Sequence, residues 1–488
     1  MRSVSIGVRT VVVWVVLPLV LQLTLASDAR AQGTAPLQLA EILPDLILRG
    51  ITLPKPAIAE ITHEAHFSPV DANDLNNPAV AIVQSFNKLM MMQLSTFPLG
   101  SSTGGFTYTF DSSLGTFRRA SRSFGPSFAE RAMTSGRGKL GGGMTYQRTR
   151  YRRFEGENLD DGSIKFYLRH SECCSPGAGG GAGGGGGAGG SGPVATPNGT
   201  RLSPPFEGDL IEAALSLDVT SDTVAFFANY GLTNRWDVGI LLPIVRVELD
   251  ASVHATILRL ATQSTPLTHT FEQGNPLATE KTFRQSGSAS GLGDTVLRTK
   301  YRFMDLPGGG LAGAVDVRLP TGAKEDLLGS GTQTKIFLAA SAGTDRFVEH
   351  LNVGYTAASG DVGRLGLLAT LGGDVPLPDQ VNYAAGLEVI AHPRLTIMGD
   401  IVGRTLRDAG RLSLTSKSFD YQGATAVQTV RFDEFEPRAG DLSLVLGTIG
   451  FKLNPVGDLL FSSSVLFPLT DAGLRSGLTT VVGFDYAF

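Results

Sequence analysis

His170, Cys173 and Cys174 lie close together in a chain with no other cysteine, and imidazole and thiolate are the ligands that hold zinc or copper(I). Adjacent cysteines rarely supply two good tetrahedral ligands, so a surface thiol pair is the plainer reading and no metal is assigned. The tract from Gly177 to Gly192 looks like a phosphate-cradling loop. It lacks the Lys and Ser/Thr of such loops and opens no predicted helix, which makes it a flexible external connection. His254 and His269 fall in or near a long loop, His350 on a face predicted to look inward and His392 in a turn. None is accompanied by a strand-to-helix nucleophile elbow. The expectation is therefore a protein with no catalytic residues, no cofactor and no enzymatic activity.

The remaining chemistry is charge on one face of predicted strands. Asp294, Arg298, Lys300, Arg302, Asp316, Arg318, Lys335, His350, Glu388, Asp400, Arg404 and Asp485 alternate with apolar residues such as Leu297, Tyr301, Phe303, Val315 and Val317. Such a face is expensive against a dry core but not against a wet lumen. The twelve residues are thus candidate lumen-lining groups. Their signs nearly balance, so they would stiffen a barrel or hold a plug rather than make a strongly selective pore.

The elements that must position them follow period two from about Gly104 onward. At the C-terminus Leu478, Thr480, Val482, Phe484, Tyr486 and Phe488 share one face, and Thr479, Val481, Gly483, Asp485 and Ala487 the other. Strands are predicted over 103–111, 125–134, 138–152, 208–231, 235–255, 293–304, 309–320, 334–343, 347–357, 381–391, 394–406, 441–453, 457–468 and 478–488. Within 208–231 a break is expected near Thr220 to Asp222. Tight turns alternate with long connections at 153–207, 256–292, 358–380 and 407–440. That alternation is expected of short periplasmic turns and long external loops. The predicted fold is all-β: a closed antiparallel transmembrane β-barrel of about 14 strands, range 12–16. Trp236, Tyr230, Tyr146, Phe347, Phe484 and Tyr486 would form its aromatic girdles. A soluble β-sandwich shares the periodicity, but has no reason to segregate turn lengths.

Residues 1–31 read as a signal peptide: a basic start, an apolar run from Val11 to Leu25 and the small-x-small site Ala29-Arg30-Ala31. No later run reaches the ~18 apolar residues of a spanning helix. Residues 32–102 do not alternate, and Leu37–Leu48 and Ala79–Leu94 read as short helices, the latter containing Met90-Met91-Met92. This lead is expected to be a helical plug or a periplasmic extension before the barrel of 103–488. As a plug it would be held by Arg298, Arg302, Arg318 and Arg404, with Glu41, Asp45, Glu60 and Glu64 as acidic partners. With 18% charged residues and a net charge of -4, the chain offers no basic patch for nucleic acid.

Several strings add a resemblance. Gly231-Leu232-Thr233 leads to Asp237-Val238-Gly239 and Leu242-Pro243, and Gly291-Leu292-Gly293-Asp294 leads to Lys300-Tyr301-Arg302-Phe303. Leu319-Pro320-Thr321-Gly322 and Asn352-Val353-Gly354-Tyr355 follow. From about Pro98 to Phe488 the chain resembles the bacterial outer-membrane family labelled as meta-pathway phenol-degradation transporters, similar to long-chain fatty-acid channels. The resemblance implies residence in the cell outer membrane and passive uptake of small hydrophobic or aromatic molecules. The expected partners are outer-membrane lipid, such solutes, and the barrel-assembly machinery through the C-terminal Phe488. A non-transporting barrel whose external loops bind partners is the alternative, and a secreted soluble β-protein a more distant one. The Gly-rich tract with Cys173-Cys174 and the long lead depart from the family pattern.

Overall fold

The computed structural model describes residues 37–54, 78–96, 100, 105–111, 116–169, 208–261, 269–363, 374–422 and 426–488. The expected signal peptide, His170, Cys173-Cys174, the Gly-rich tract, Glu60 and Glu64 lie outside these. Twelve antiparallel strands close into a barrel. They are β1 (Leu140–Phe154), β2 (Leu210–Gly231), β3 (Trp236–Leu258), β4 (Val296–Leu306), β5 (Gly309–Arg318) and β6 (Thr332–Gly343), followed by β7 (Phe347–Ser359), β8 (Gln380–His392), β9 (Leu395–Leu406), β10 (Leu442–Val456), β11 (Leu459–Pro468) and β12 (Leu474–Ala487). Each pairs with the next, and β12 pairs with β1 to close the ring. Closure leaves no barrel edge unsatisfied in hydrocarbon, the condition for crossing a bilayer as strands.

The outer surface is that of a membrane protein. Leu297, Ile336, Leu338, Leu351, Val353, Ile397, Ile401, Ile449 and Leu478 all point outward and are exposed. Trp236, Tyr230, Phe347, Phe484 and Tyr486 crowd the end that carries the tight turns. In β12 the alternation runs as the sequence predicts, with Leu478, Phe484 and Tyr486 exposed and Thr479, Val481 and Asp485 buried. The chain is an outer-membrane β-barrel.

β2 and β3 are 22 and 23 residues long, more than twice the 9–11 that a tilted strand needs to cross. Their faces change character partway. On β3 the outward residues run Trp236, Ile240, Leu242 and Ile244, then Arg246, Glu248, Asp250 and Ser252; on β2 Tyr230 and Phe226 give way to Asp222, Thr220 and Asp218. Asp222 and Arg246 are direct partners in the ladder, so the change falls at one level. From Trp236 to Arg246 the strand rises roughly 33 Å, which at a tilt of about 40° spans an apolar band of about 25 Å. The break expected at Thr220 to Asp222 does not occur; those residues mark the place where the strand leaves the membrane.

Above that level the interior is apolar. Leu215, Leu217, Val219, Leu249, Val253 and Ile257 are fully or nearly fully buried in one core with two helices. Helix α1 is Ile42–Leu48 and helix α2 Pro78–Ser95. Met90, Met91 and Met92 are all at most 1% exposed, and a helix buried all round needs no polar face. Asn87 Nδ2 donates to Ala40 O at 2.8 Å and ties α2 to the turn Leu39–Glu41 that leads into α1. Strand Glu280–Leu292 extends this outer part on β3, above β4, and the hairpin Arg411–Gln422/Val427–Arg438 projects from the β9–β10 connection. Neither was predicted as a strand.

Two predicted wall strands are absent from the barrel. Tyr108–Asp111 pairs only with Thr116–Arg119 in a separate hairpin, and 125–134 has no regular structure. The physical reason for the second is that side chains of the wall, not a neighbouring strand, satisfy its backbone.

Candidate functional site

Residues 124–135 run around the inside of the barrel and meet the wall at almost every step. Lys452 Nζ donates to Phe124 O at 3.3 Å and Pro126 O at 3.0 Å. Gly125 N donates to Glu388 Oε2 at 2.8 Å, and Ser127 N and Phe128 N both donate to Asp400 Oδ2, at 2.9 and 2.8 Å. Asn352 brackets Glu130, accepting its N–H at 2.6 Å and donating to its carbonyl at 2.7 Å. Ala132 N reaches Ser341 Oγ at 2.9 Å and Ser135 N reaches Asp237 Oδ2 at 2.8 Å. A buried backbone must have partners, and here charged and neutral polar side chains of the wall supply them.

The segment returns charge to the wall. Glu130, 4% exposed, takes Arg298 on one oxygen at 2.5 Å and Lys300 on the other at 3.0 Å. Lys300 also donates to Arg131 O at 3.1 Å and Met133 O at 2.9 Å, which accounts for its complete burial. Arg298 forks onto both oxygens of Asp316 at 2.6 Å. Removing one member of so enclosed a set would strand the others.

The other predicted residues have different neighbours. Arg318 donates to Ser95 O at 3.3 Å, and Arg404 to Thr96 O and, at 2.8 Å, to Thr96 Oγ1, so both meet the C-terminal end of α2. Of the carboxylates and backbone carbonyls expected to accept from these guanidinium groups, they bind backbone carbonyls, together with the Thr96 hydroxyl. Asp45 instead accepts Gln285 Nε2 at 3.3 Å. Arg302 lies at the tight-turn end, against Asn234 O at 3.2 Å and Asp305 at 3.3 Å. Asp294 accepts Gly322 N, Ser330 N and Ser330 Oγ at 3.1, 2.8 and 2.9 Å, pinning the 319–331 connection at the junction between Glu280–Leu292 and β4. Asp485 is buried, and Lys335 Nζ lies 4.5 Å above the Phe337 ring.

His350 joins Ser341 Oγ through Nδ1 at 2.8 Å and Glu388 Oε1 through Nε2 at 2.6 Å. The order Ser–His–carboxylate is that of a nucleophilic relay. Ser341 is only 2% exposed and its oxygen already accepts the Ala132 N–H. These bonds make the trio a stitch between wall and segment.

Between α2 above and residues 124–135 below lies a cavity of about 200 Å³. Gln93 and Thr96 roof it, Phe128 and Glu130 floor it, and its walls carry Arg298, Asp316, Arg318, Lys335, Arg404 and Arg475 beside Tyr151, Phe337, Leu444 and Leu446. Sequence reasoning missed Glu130, Ser341, Asn352, Lys452 and Arg475 at this site. Taking 125–134 as a wall strand left Glu130 out of the candidate set, and lone polar residues on a strand carry no signal of what they will hold.

No protein-family model matches the chain, and no curated protein matches it. Solved structures do. An outer membrane channel from Pseudomonas putida F1 is 11% identical, over 73% of this chain and 98% of that one, with a TM-score of 0.39. The toluene transporter TbuX of Ralstonia pickettii is 11% identical, over 81% and 99%, with a TM-score of 0.28. The toluene transporter TodX of P. putida is 12% identical, over 81% and 99%, with a TM-score of 0.29.

Proposed function

We propose that this chain is a passive outer-membrane channel for small hydrophobic or aromatic molecules, with residues 124–135 as the inner stopper and helices α1 and α2 as the outer cover. The observation that carries the reading is the chamber between these two stoppers, where Phe128, Tyr151, Phe337, Leu444 and Leu446 share the lining with charged groups. A barrel whose only task was to carry loops could fill this space with side chains, as narrow barrels do. Beside the apolar contacts of Phe124 with Leu460 and of Phe128 with Leu446, Leu466 and Val481, the stopper is held by many polar bonds to the wall, and such bonds exchange readily for water when a path opens. The uptake implied by the resemblance to phenol-degradation transporters belongs to this proposal.

Deleting residues 32–100 would expose the outer apolar core, so point changes make the cleaner test. Lys300→Met with Asp400→Ala removes the partners of four backbone groups on residues 127–133 and one partner of the Glu130 carboxylate. In proteoliposome swelling with a small aromatic solute, the double variant should admit the solute several-fold faster than the parent. If neither protein passes the solute, although both run as heat-modifiable barrels, the alternative of a non-transporting barrel with partner-binding loops takes its place.

A further inference from the structure

The chamber is not charge-balanced. Five cations line it, Arg298, Arg318, Lys335, Arg404 and Arg475, against two carboxylates, Glu130 and Asp316. Both carboxylates are already taken: Asp316 by the Arg298 fork, Glu130 by Arg298 and Lys300. Lys335 stands opposite Asp316 in the ladder but finds its oxygens engaged. Among the described residues, Arg318, Arg404 and Arg475 make no ion pair. Arg318 and Arg404 face the C-terminal end of α2, whose dipole offers roughly half a negative charge against their two positive ones. Arg475, 4% exposed, reaches only the neutral Thr470 Oγ1 and Ser443 O, and its Nε has no partner.

Cations enclosed in a protein without a carboxylate in direct contact are costly unless something of opposite charge joins them. Guanidinium groups match the two oxygens of a carboxylate with paired donors. Phe337, Tyr151, Leu444 and Leu446 beside them offer a surface for a hydrocarbon body. At about 200 Å³, the chamber is below the roughly 300–1,000 Å³ of sites for drug-sized ligands, which limits the occupant to a small molecule.

We infer that the chamber binds a small organic carboxylate, with its anionic head among Arg318, Arg404 and Arg475 and its apolar body toward Phe337. The inference rests on the channel reading only in placing this site on the path of a solute; binding itself does not require passage. The test is equilibrium binding of benzoate to the full-length barrel in detergent, by calorimetry, with benzyl alcohol and inorganic phosphate as competitors. Benzoate should bind saturably, benzyl alcohol should fail to displace it, and phosphate should compete weakly.

Arg404→Met with Arg475→Met should weaken benzoate by about tenfold or more, the worth of a charge-assisted bond. Arg404→Lys, which keeps the charge and guards against loss of fold, should retain most of the affinity. Equal binding of benzoate and benzyl alcohol, an unchanged benzoate affinity in the double variant, or preference for phosphate over benzoate would each overturn the inference. Saturable benzoate binding by a barrel that passes no solute would leave the site standing and remove the channel.

Discussion

The two halves of this barrel are built inside out with respect to each other, along the same strands. Below the level of Asp222 and Arg246, β2 and β3 turn Phe226, Tyr230, Ile240 and Leu242 outward and Asn229 and Asp237 inward, beside a small apolar patch of Ala225, Phe227 and Leu241. Above it they turn Ser216, Asp218, Glu248 and Asp250 outward and Leu215, Leu217, Leu249 and Val253 inward. The backbone does not change across the boundary; only the solvent does. In lipid the interior is the place for polar groups, and here they hold a chain segment. In water the interior is the place for apolar groups, and there they hold two helices. The lower half therefore has an interior that can be rewired bond by bond, whereas the upper half has a core that can be lost only by exposing it.

The largest effect should come from breaking the upper core. Phe86 is 1% exposed, with its ring 4.2 Å from Phe154 and 6.1 Å from Phe166, centroid to centroid. Phe86→Ala should cost about 3–5 kcal/mol of local stability. Because the membrane ring does not depend on this core, the loss should appear as faster hydrogen exchange and proteolysis around residues 78–96, with membrane insertion intact. Equal loss of protection throughout β5–β10 would mean that the halves fold as one unit.

Next comes the outer face, where one strand tests both environments. Ile240→Arg places a charge in the apolar band and should cost about 2–4 kcal/mol on folding into vesicles, depending on depth. Ser252→Arg, on the same face of β3 but above the boundary, should change stability by no more than about 0.5 kcal/mol. Comparable costs for the two would erase the distinction drawn between the halves.

How much of this was legible follows from which solvent each segment meets. The wall strands between Val296 and Ala487 could be read because lipid demands an apolar residue at every second position and the lumen tolerates charge between them. The two helices could be read because neither alternates. Glu280–Leu292 could not: its outward residues are Arg284, Ser286, Ser288 and Ser290 and its inward ones include Gly287, Ala289 and Gly291, so no apolar column exists to find. Phe124 to Ser135 misled in the opposite direction. Its mixed apolar and polar residues mimic a wall strand, while the partners that show otherwise, Glu388, Asp400, Asn352 and Lys452, lie more than 200 residues away. The charges were readable as inward-facing, but what they grip was not, because their partner is mainly backbone and backbone leaves no mark in a sequence.

The smallest effect addresses the boundary itself. Asp222 accepts the Tyr146 hydroxyl at 2.6 Å in a partly buried bond and lies 3.9 Å from the exposed Arg148, an arrangement worth about 1 kcal/mol or less. Asp222→Leu would extend the apolar column on β2 by one outward position, from Phe226 through Val224 to residue 222, lengthening the band by roughly 5 Å after tilt. A longer band suits a thicker bilayer, and mismatch costs only fractions of a kcal/mol per ångström. The substitution should therefore be mildly destabilising in short-chain lipid, where the new Leu meets water, and neutral to stabilising by up to about 1 kcal/mol in long-chain lipid. Unfolding in vesicles of graded acyl length, parent against variant, reads that crossing directly. Ser216→Leu, outward on the same strand but well above the boundary, should show no dependence on lipid length. If it tracks Asp222→Leu, the bilayer reaches further up β2 than the change at Asp222 and Arg246 implies, and the outer half is partly immersed.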